Sequence, residues 1–214
     1  LLTEFIEQGS FFLGIDWHER VSIALFESVS ARTAGFTNIP MSIESISDSG
    51  LLLLMTLMFI GASPGGTGGG IKTTTIAALM AATRSTLRGQ ETVVIRHRQI
   101  SDKVVLKAVG ITVGSLLFIL LMALCITMTS NFDSQQQFSF LEILFTCISA
   151  FATVGFDIGI TQNLNTFGQL ILIVGMFVGR LGILLLLSAI WQLINKDRIQ
   201  HQNRVGYPRE DLYV

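Results

Sequence analysis

Phe26-Glu27-Ser28-Val29-Ser30-Ala31-Arg32-Thr33-Ala34-Gly35-Phe36 is answered far down the chain by Phe145-Thr146-Cys147-Ile148-Ser149-Ala150-Phe151-Ala152-Thr153-Val154-Gly155-Phe156, one residue longer. Each stretch is a short apolar segment that ends in Thr-small-Gly-Phe. A second correspondence follows downstream, where Met58-Phe59-Ile60-Gly61 is answered by Met176-Phe177-Val178-Gly179. Agreement at two separate places, in the same order, marks a duplicated unit. One Thr-x-Gly-Phe alone reads as a turn after a helix; two copies in equivalent places argue for a shared task.

The surroundings of both copies are apolar. Half of the residues are hydrophobic, 14% are charged, and the formal net charge is −1. Mean hydropathy is +0.61, a membrane composition. Near-zero net charge gives no electrostatic reason to expect a nucleic-acid partner. Three apolar stretches approach the roughly 20 residues that a spanning helix requires: Val104 to Met128, Leu51 to Ala82 with a Gly-rich interruption, and Phe167 to Ile194. Glu19 to Ala31 and Phe138 to Ala152 are too short to cross about 30 Å of hydrocarbon. They are candidate re-entrant helices. The backbone that follows each must then face a water-filled cavity or pack inside protein, because lipid cannot satisfy its N–H and C=O groups.

Lys and Arg set the orientation. Arg84, Arg88, Arg96, Arg98, Lys103 and Lys107 lie in one link, and Lys196, Arg198, Arg204 and Arg209 in the tail, which assigns both to the cytoplasm. Stretches 36–71 and 131–166 contain no Lys or Arg and fall on the outer side. The order is helix, re-entrant loop, helix, repeated: an all-α membrane protein of channel-like units. The chain opens on Leu1 without an initiator Met or a signal-peptide pattern, so it reads as part of a longer protein.

Thr33-Ala34-Gly35-Phe36 and Thr153-Val154-Gly155-Phe156 resemble a degenerate potassium-channel filter strand. Potassium sheds its water only where carbonyl oxygens replace it, and glycine reaches backbone angles that let successive carbonyls point inward. The negative pole of each short helix favours a cation at its end. These eight residues are the expected ion site, acting mainly through backbone atoms. Two loops supply half a four-fold ring, so the other half must come from elsewhere.

With Ser30 to Thr37, the Pro64-Gly65-Gly66-Thr67-Gly68-Gly69-Gly70-Ile71-Lys72-Thr73 loop and Arg180 in this order, the sequence is similar to the Ktr/Trk/HKT superfamily of potassium transporters. The short tail is more like that of the bacterial Ktr membrane subunit. The resemblance implies that residues 1–100 are the third helix–pore-loop–helix unit, with most of its first helix missing, and residues 101–214 the fourth. It implies further partners: the N-terminal half of the same protein, a second copy forming a homodimer, and a cytosolic nucleotide-binding ring. It also implies potassium as the transported ion, with sodium as a second candidate, and a plasma-membrane location. Both copies, with Phe36 and Phe156 after their glycine, lack the second filter glycine of true potassium channels, so weaker discrimination against sodium is expected.

Gly61, Ala62, Ser63, Pro64, Gly65, Gly66, Thr67, Gly68, Gly69 and Gly70 invite a nucleotide-binding reading. The phosphate-loop motif requires Lys directly after its last Gly, whereas Ile71 precedes Lys72 here. An irregular Gly-rich loop at membrane depth fits a flexible constriction below a filter, and the resemblance implies an intramembrane gate that includes Lys72. Arg180 in mid-helix should face water, carbonyls or a carboxylate; carbonyls of this loop are its expected partners, and a snorkelling arginine is the alternative. His18, His97 and His201 stand apart without metal spacing, and Cys125 and Cys147 lie in apolar runs. Neither a complete phosphate-binding motif nor a nucleophile with its base is present, which argues against an enzyme. A non-conducting scaffold would leave paired filter-like loops without purpose. Potassium conduction, with no catalytic residues, is the expectation.

Overall fold

A computed structural model describes residues 16–38, 46, 48–66, 68–90, 92–95, 98–130 and 138–182. Six α-helices are seen among them: α1 (Trp17–Ser30), α2 (Asp48–Phe59), α3 (Thr73–Leu87), α4 (Asp102–Ser130), α5 (Phe140–Ala152) and α6 (Thr166–Leu181). The tail and the end of the last apolar stretch lie outside the described residues.

Length separates the helices by role. At 1.5 Å per residue α4 extends about 43 Å, and it is the one helix among the described residues long and apolar enough to cross a membrane, with a mean hydropathy of 2.6. At the same rise α1 and α5 span only about 20 Å. A capping interaction starts α5, Glu142 Oε2 accepting from the Ser139 N–H at 2.6 Å, which satisfies one amide that the first turn leaves unpaired. Asn165 does the same for α6, its Oδ1 accepting from the Gly168 N–H at 2.8 Å.

Two apolar clusters hold the helices together. The first joins Leu51, Leu54, Met55 and Met58 of α2 to Phe145 and Ala152 of α5 and to Val154 and Phe156 beyond it, so one copy's inner helix packs on the other copy's short helix and loop. The second is internal to the later copy: Ile119, Met122 and Ile126 of α4 meet Ile143, Cys147 and Phe151 of α5 and Leu172 and Val178 of α6. Short helix α5 is therefore wrapped by α2, α4 and α6. Leu117, Leu121 and Leu124 of α4, and Ile173 and Phe177 of α6, point outward and exposed. Such a surface suits lipid better than water.

The purely helical expectation needs one correction. Val93–Ile95 (β1) and Arg98–Ile100 (β2) pair antiparallel with Val93 opposite Ile100. The β-branched run Val93-Val94-Ile95 favours a strand. Ser85 Oγ of α3 ties the hairpin down by donating to Thr92 O at 2.7 Å.

Candidate functional site: two Thr-x-Gly-Phe loops against a glycine-rich loop

Each short helix hands over to its loop through the same device. The Ala34 N–H donates to Ser30 O at 3.1 Å, and the Val154 N–H to Ser149 O at 3.0 Å. Those serines are equivalent positions of the repeat, and the extra residue of the second copy is absorbed in the turn between them. Thr33 (φ 69°) and Thr153 (φ 53°) are the only non-glycine residues with positive φ among the described residues. A left-handed conformation is a true outlier for a β-branched side chain and costs on the order of 1–3 kcal/mol. Both copies hold this strain at the same place, which neither chance nor a generic turn explains. Gly35 (φ 74°) and Gly155 (φ 99°) follow in the conformations for which glycine is the natural residue.

The two loops meet. A Cβ placed on Gly35 would lie 3.2 Å from the Val154 carbonyl carbon and closer still to its oxygen, and the nearest neighbour of a Cβ on Gly155 would be the Gly35 Cα, at 3.9 Å. Gly35 is thus brought against Val154 and Gly155. The aromatic residues diverge: Phe156 is 3% exposed in the core, whereas Phe36 is 72% exposed.

Directly against the two threonines lies the Gly-rich loop. It leaves α2 at Ile60 and returns at Ile71, which form a parallel bridge, with the Ile71 N–H on Phe59 O at 3.2 Å. Gly61 presses on Gly69 O and Gly70 across this neck. Ser63, Pro64, Gly65 and Gly66 form an exposed turn, closed by the Gly66 N–H on Ser63 O at 3.2 Å; Thr67 lies outside the described residues. The far limb reaches the two Thr-x-Gly-Phe loops. A Cβ on Gly68 would sit 2.8 Å from Thr33 Oγ1 and 2.6 Å from Ala62 Cβ; one on Gly69 would sit 2.7 Å from Thr153 Oγ1. The Gly69 N–H donates to Thr153 Oγ1 at 3.0 Å. Only residues without side chains fit under both threonines.

A loop carbonyl, expected as a partner of Arg180, is instead bonded by Lys72, the other cation assigned to the gate. Lys72 Nζ donates to Gly68 O at 2.7 Å. Arg180 is exposed, and among the described residues no hydrogen bond joins it to the loop. It borders a cavity of ≈ 720 Å³ whose wall includes Thr153, Val154, Gly155 and Asp157. Charge spacing along the chain could not say which cation reaches the loop; Lys72 wins because it starts α3 only four residues from Gly68. Sequence reasoning passed over Glu27, which is buried beside the first loop and accepts from the Asn38 N–H at 2.9 Å. A carboxylate inside a short apolar helix was the available signal. No grouping of three or more potential metal ligands is found among the described residues.

Comparison with known proteins decides the family. Residues 2–201 match the TrkH family of cation transport proteins. The chain belongs to this family. Among relatives, the potassium uptake protein D of the Ktr system of Bacillus subtilis is 34% identical over 209 residues, covering 98% of this chain and 43% of the relative. The Ktr system potassium uptake protein B of Vibrio alginolyticus is 38% identical over 176 residues, 81% of this chain and 36% of the relative. The potassium/sodium uptake protein NtpJ of Enterococcus hirae is 33% identical over 92% of this chain and 42% of its own. The crystal structure of the potassium transporter TrkH from Vibrio parahaemolyticus shares the fold, with a TM-score of 0.66 at 23% identity over 80% of this chain and 37% of that one. The chain spans less than half the length of these relatives, and its family is one of membrane transporters of cations.

Proposed function

We propose that this chain contributes two of four pore loops to a potassium-uptake subunit of the plasma membrane, and that its Gly-rich loop is the gate. Residues 1–100 and 101–214 act as consecutive helix–pore-loop–helix units. Potassium sheds water between Thr33–Phe36 and Thr153–Phe156, whose backbone carbonyls replace part of its shell. Residues 61–70 close the inner side, held by Lys72. The observation that carries this reading is the seating of Gly68 against Thr33 and of Gly69 against Thr153, which supports a plug beside both loops.

Arg180 acts by charge. Its guanidinium borders the cavity beside the second loop and raises the barrier for a cation there without bonding the plug. Sodium is the second candidate ion, since one relative is named for both ions and a filter with a single glycine per strand discriminates less strictly. The partners are the N-terminal half of the protein, a second copy, and a cytosolic nucleotide-binding ring, in keeping with relatives named as parts of a Ktr system. Arg84 and Arg88 line a hollow of ≈ 560 Å³ between α3 and the hairpin, a basic surface suited to such a ring, with the C-terminal tail on the same cytoplasmic side. The test is potassium tracer uptake by potassium-starved cells that lack their own uptake systems and express the complete protein. Uptake above vector controls is expected; its absence with the protein present in the membrane overturns the reading.

A further inference from the structure

The first filter strand is fastened from behind by a buried carboxylate. Glu27, near the end of α1, is 1% exposed. Its Oε1 accepts from Thr37 Oγ1 at 3.1 Å and from the Asn38 N–H at 2.9 Å; these two residues directly follow Thr33–Phe36. Ser30, three residues further along the helix and hence on the same face, donates from Oγ to Phe36 O. Two neighbouring side chains of α1 thus grip the strand just past its glycine. Among the described residues Glu27 Oε2 is enclosed without a partner, so the hydrogen bonds this buried group makes there go to the strand, an arrangement costly to keep unless it serves a purpose.

The second copy lacks the grip. Thr146 stands at the position of Glu27 and donates back to Glu142 O of its own helix at 3.0 Å. Its strand is anchored instead by burial of Phe156, which is 3% exposed, while Phe36 is 72% exposed and anchors nothing. A strand whose carbonyls must keep a fixed spacing needs one anchor or the other.

We infer that Glu27 is a positioning residue for the outer end of the first filter strand and thereby helps to set the preference for potassium over sodium. A carboxylate oxygen with two donors holds backbone more firmly than a neutral acceptor does, and the ion preference depends on how firmly and where the carbonyls are held. The inference rests on the filter reading proposed above.

The experiment is sodium competition against potassium uptake by the complete protein in uptake-deficient cells, normalised to protein in the membrane. Glu27→Leu removes charge and acceptor; Glu27→Gln keeps an acceptor at Oε1 without the charge; Gly35→Ser is the control for the filter itself. Glu27→Leu is expected to lose potassium preference by about tenfold, the equivalent of one hydrogen bond to a charged group, with Glu27→Gln, which keeps an acceptor but a neutral one, falling between Glu27→Leu and wild type. Equal loss in both Glu27 variants overturns the inference in favour of a charge effect. An unchanged Glu27→Leu beside an altered Gly35→Ser overturns it while sparing the filter; no change in any variant removes the filter reading itself. Should Glu27→Leu fail to reach the membrane, Thr37→Val, which deletes one of the two donors, decides: a partial loss supports the grip and no loss overturns it.

Discussion

Alanine at the two glycines of the proposed filter should have unequal consequences, because both have positive φ but they do not share a neighbourhood. At Gly155 (φ 99°) a new Cβ meets nothing nearer than the Gly35 Cα at 3.9 Å, so the penalty is the left-handed strain alone, roughly 1–3 kcal/mol. At Gly35 (φ 74°) the same strain applies, and the Cβ also enters the Val154 carbonyl, 3.2 Å from its carbon and nearer its oxygen. Restoring ordinary contact requires that carbonyl to retreat by about an ångström, and overpacking of this kind adds about 1–3 kcal/mol. The displaced oxygen belongs to the opposite filter strand, so Gly35→Ala damages both strands and Gly155→Ala one. Potassium uptake with graded sodium competition, corrected for membrane expression, reads the difference: Gly35→Ala should lose more potassium preference than Gly155→Ala. Equal effects, or a stronger effect at Gly155, would refute the argument that the two loops touch at Gly35 and Val154.

Other expectations concern the plug. Thr153→Val keeps shape but removes the acceptor for the Gly69 N–H; at about 1 kcal/mol this should shift the loop several-fold towards open and raise basal flux in proteoliposomes, whereas Thr33→Val, whose hydroxyl makes no hydrogen bond to the loop among the described residues, should change it little. Lys72→Met deletes the bond to Gly68 O and should likewise raise basal flux, read in the same vesicles. Arg180→Ala should increase basal conduction through loss of charge, and Arg180→Lys should stay near wild type; a Lys variant as leaky as Ala would mean that the guanidinium fork has a partner after all. Shortening Gly65–Gly70 should increase flux in protein that still assembles, and abolished transport would make the loop part of the required pathway.

How much of this could be read beforehand follows from what local sequence encodes. The contrast between the 29 residues of α4 and the 13 of α5 is written in the lengths of the apolar runs, and the interruption between α2 and α3 in its glycines. The repeat pointed to Thr33–Phe36 and Thr153–Phe156 because duplication survives in the sequence itself. The contact of Gly69 with Thr153 did not, since it joins residues 84 apart and nothing in either segment names the other. Left-handed threonines run against the propensity of β-branched residues, so no pattern rule would place them there. The hairpin lies in the basic link, where three residues of strand pattern, Val93-Val94-Ile95, stand beside Arg96, His97 and Arg98 and are too short a run to stand out. The need of a mid-helix Arg180 for a polar partner names no particular one, whereas Lys72 reaches Gly68 O by proximity in the chain.

The central claim is that a dehydrated cation resides between the two Thr-x-Gly-Phe loops. Anomalous scattering from rubidium in crystals of the complete protein tests it most directly. The account predicts a peak on the pore axis at the level of Gly35 and Gly155, weakened in Gly35→Ser. A peak elsewhere, with none between these loops at saturating rubidium, would contradict it.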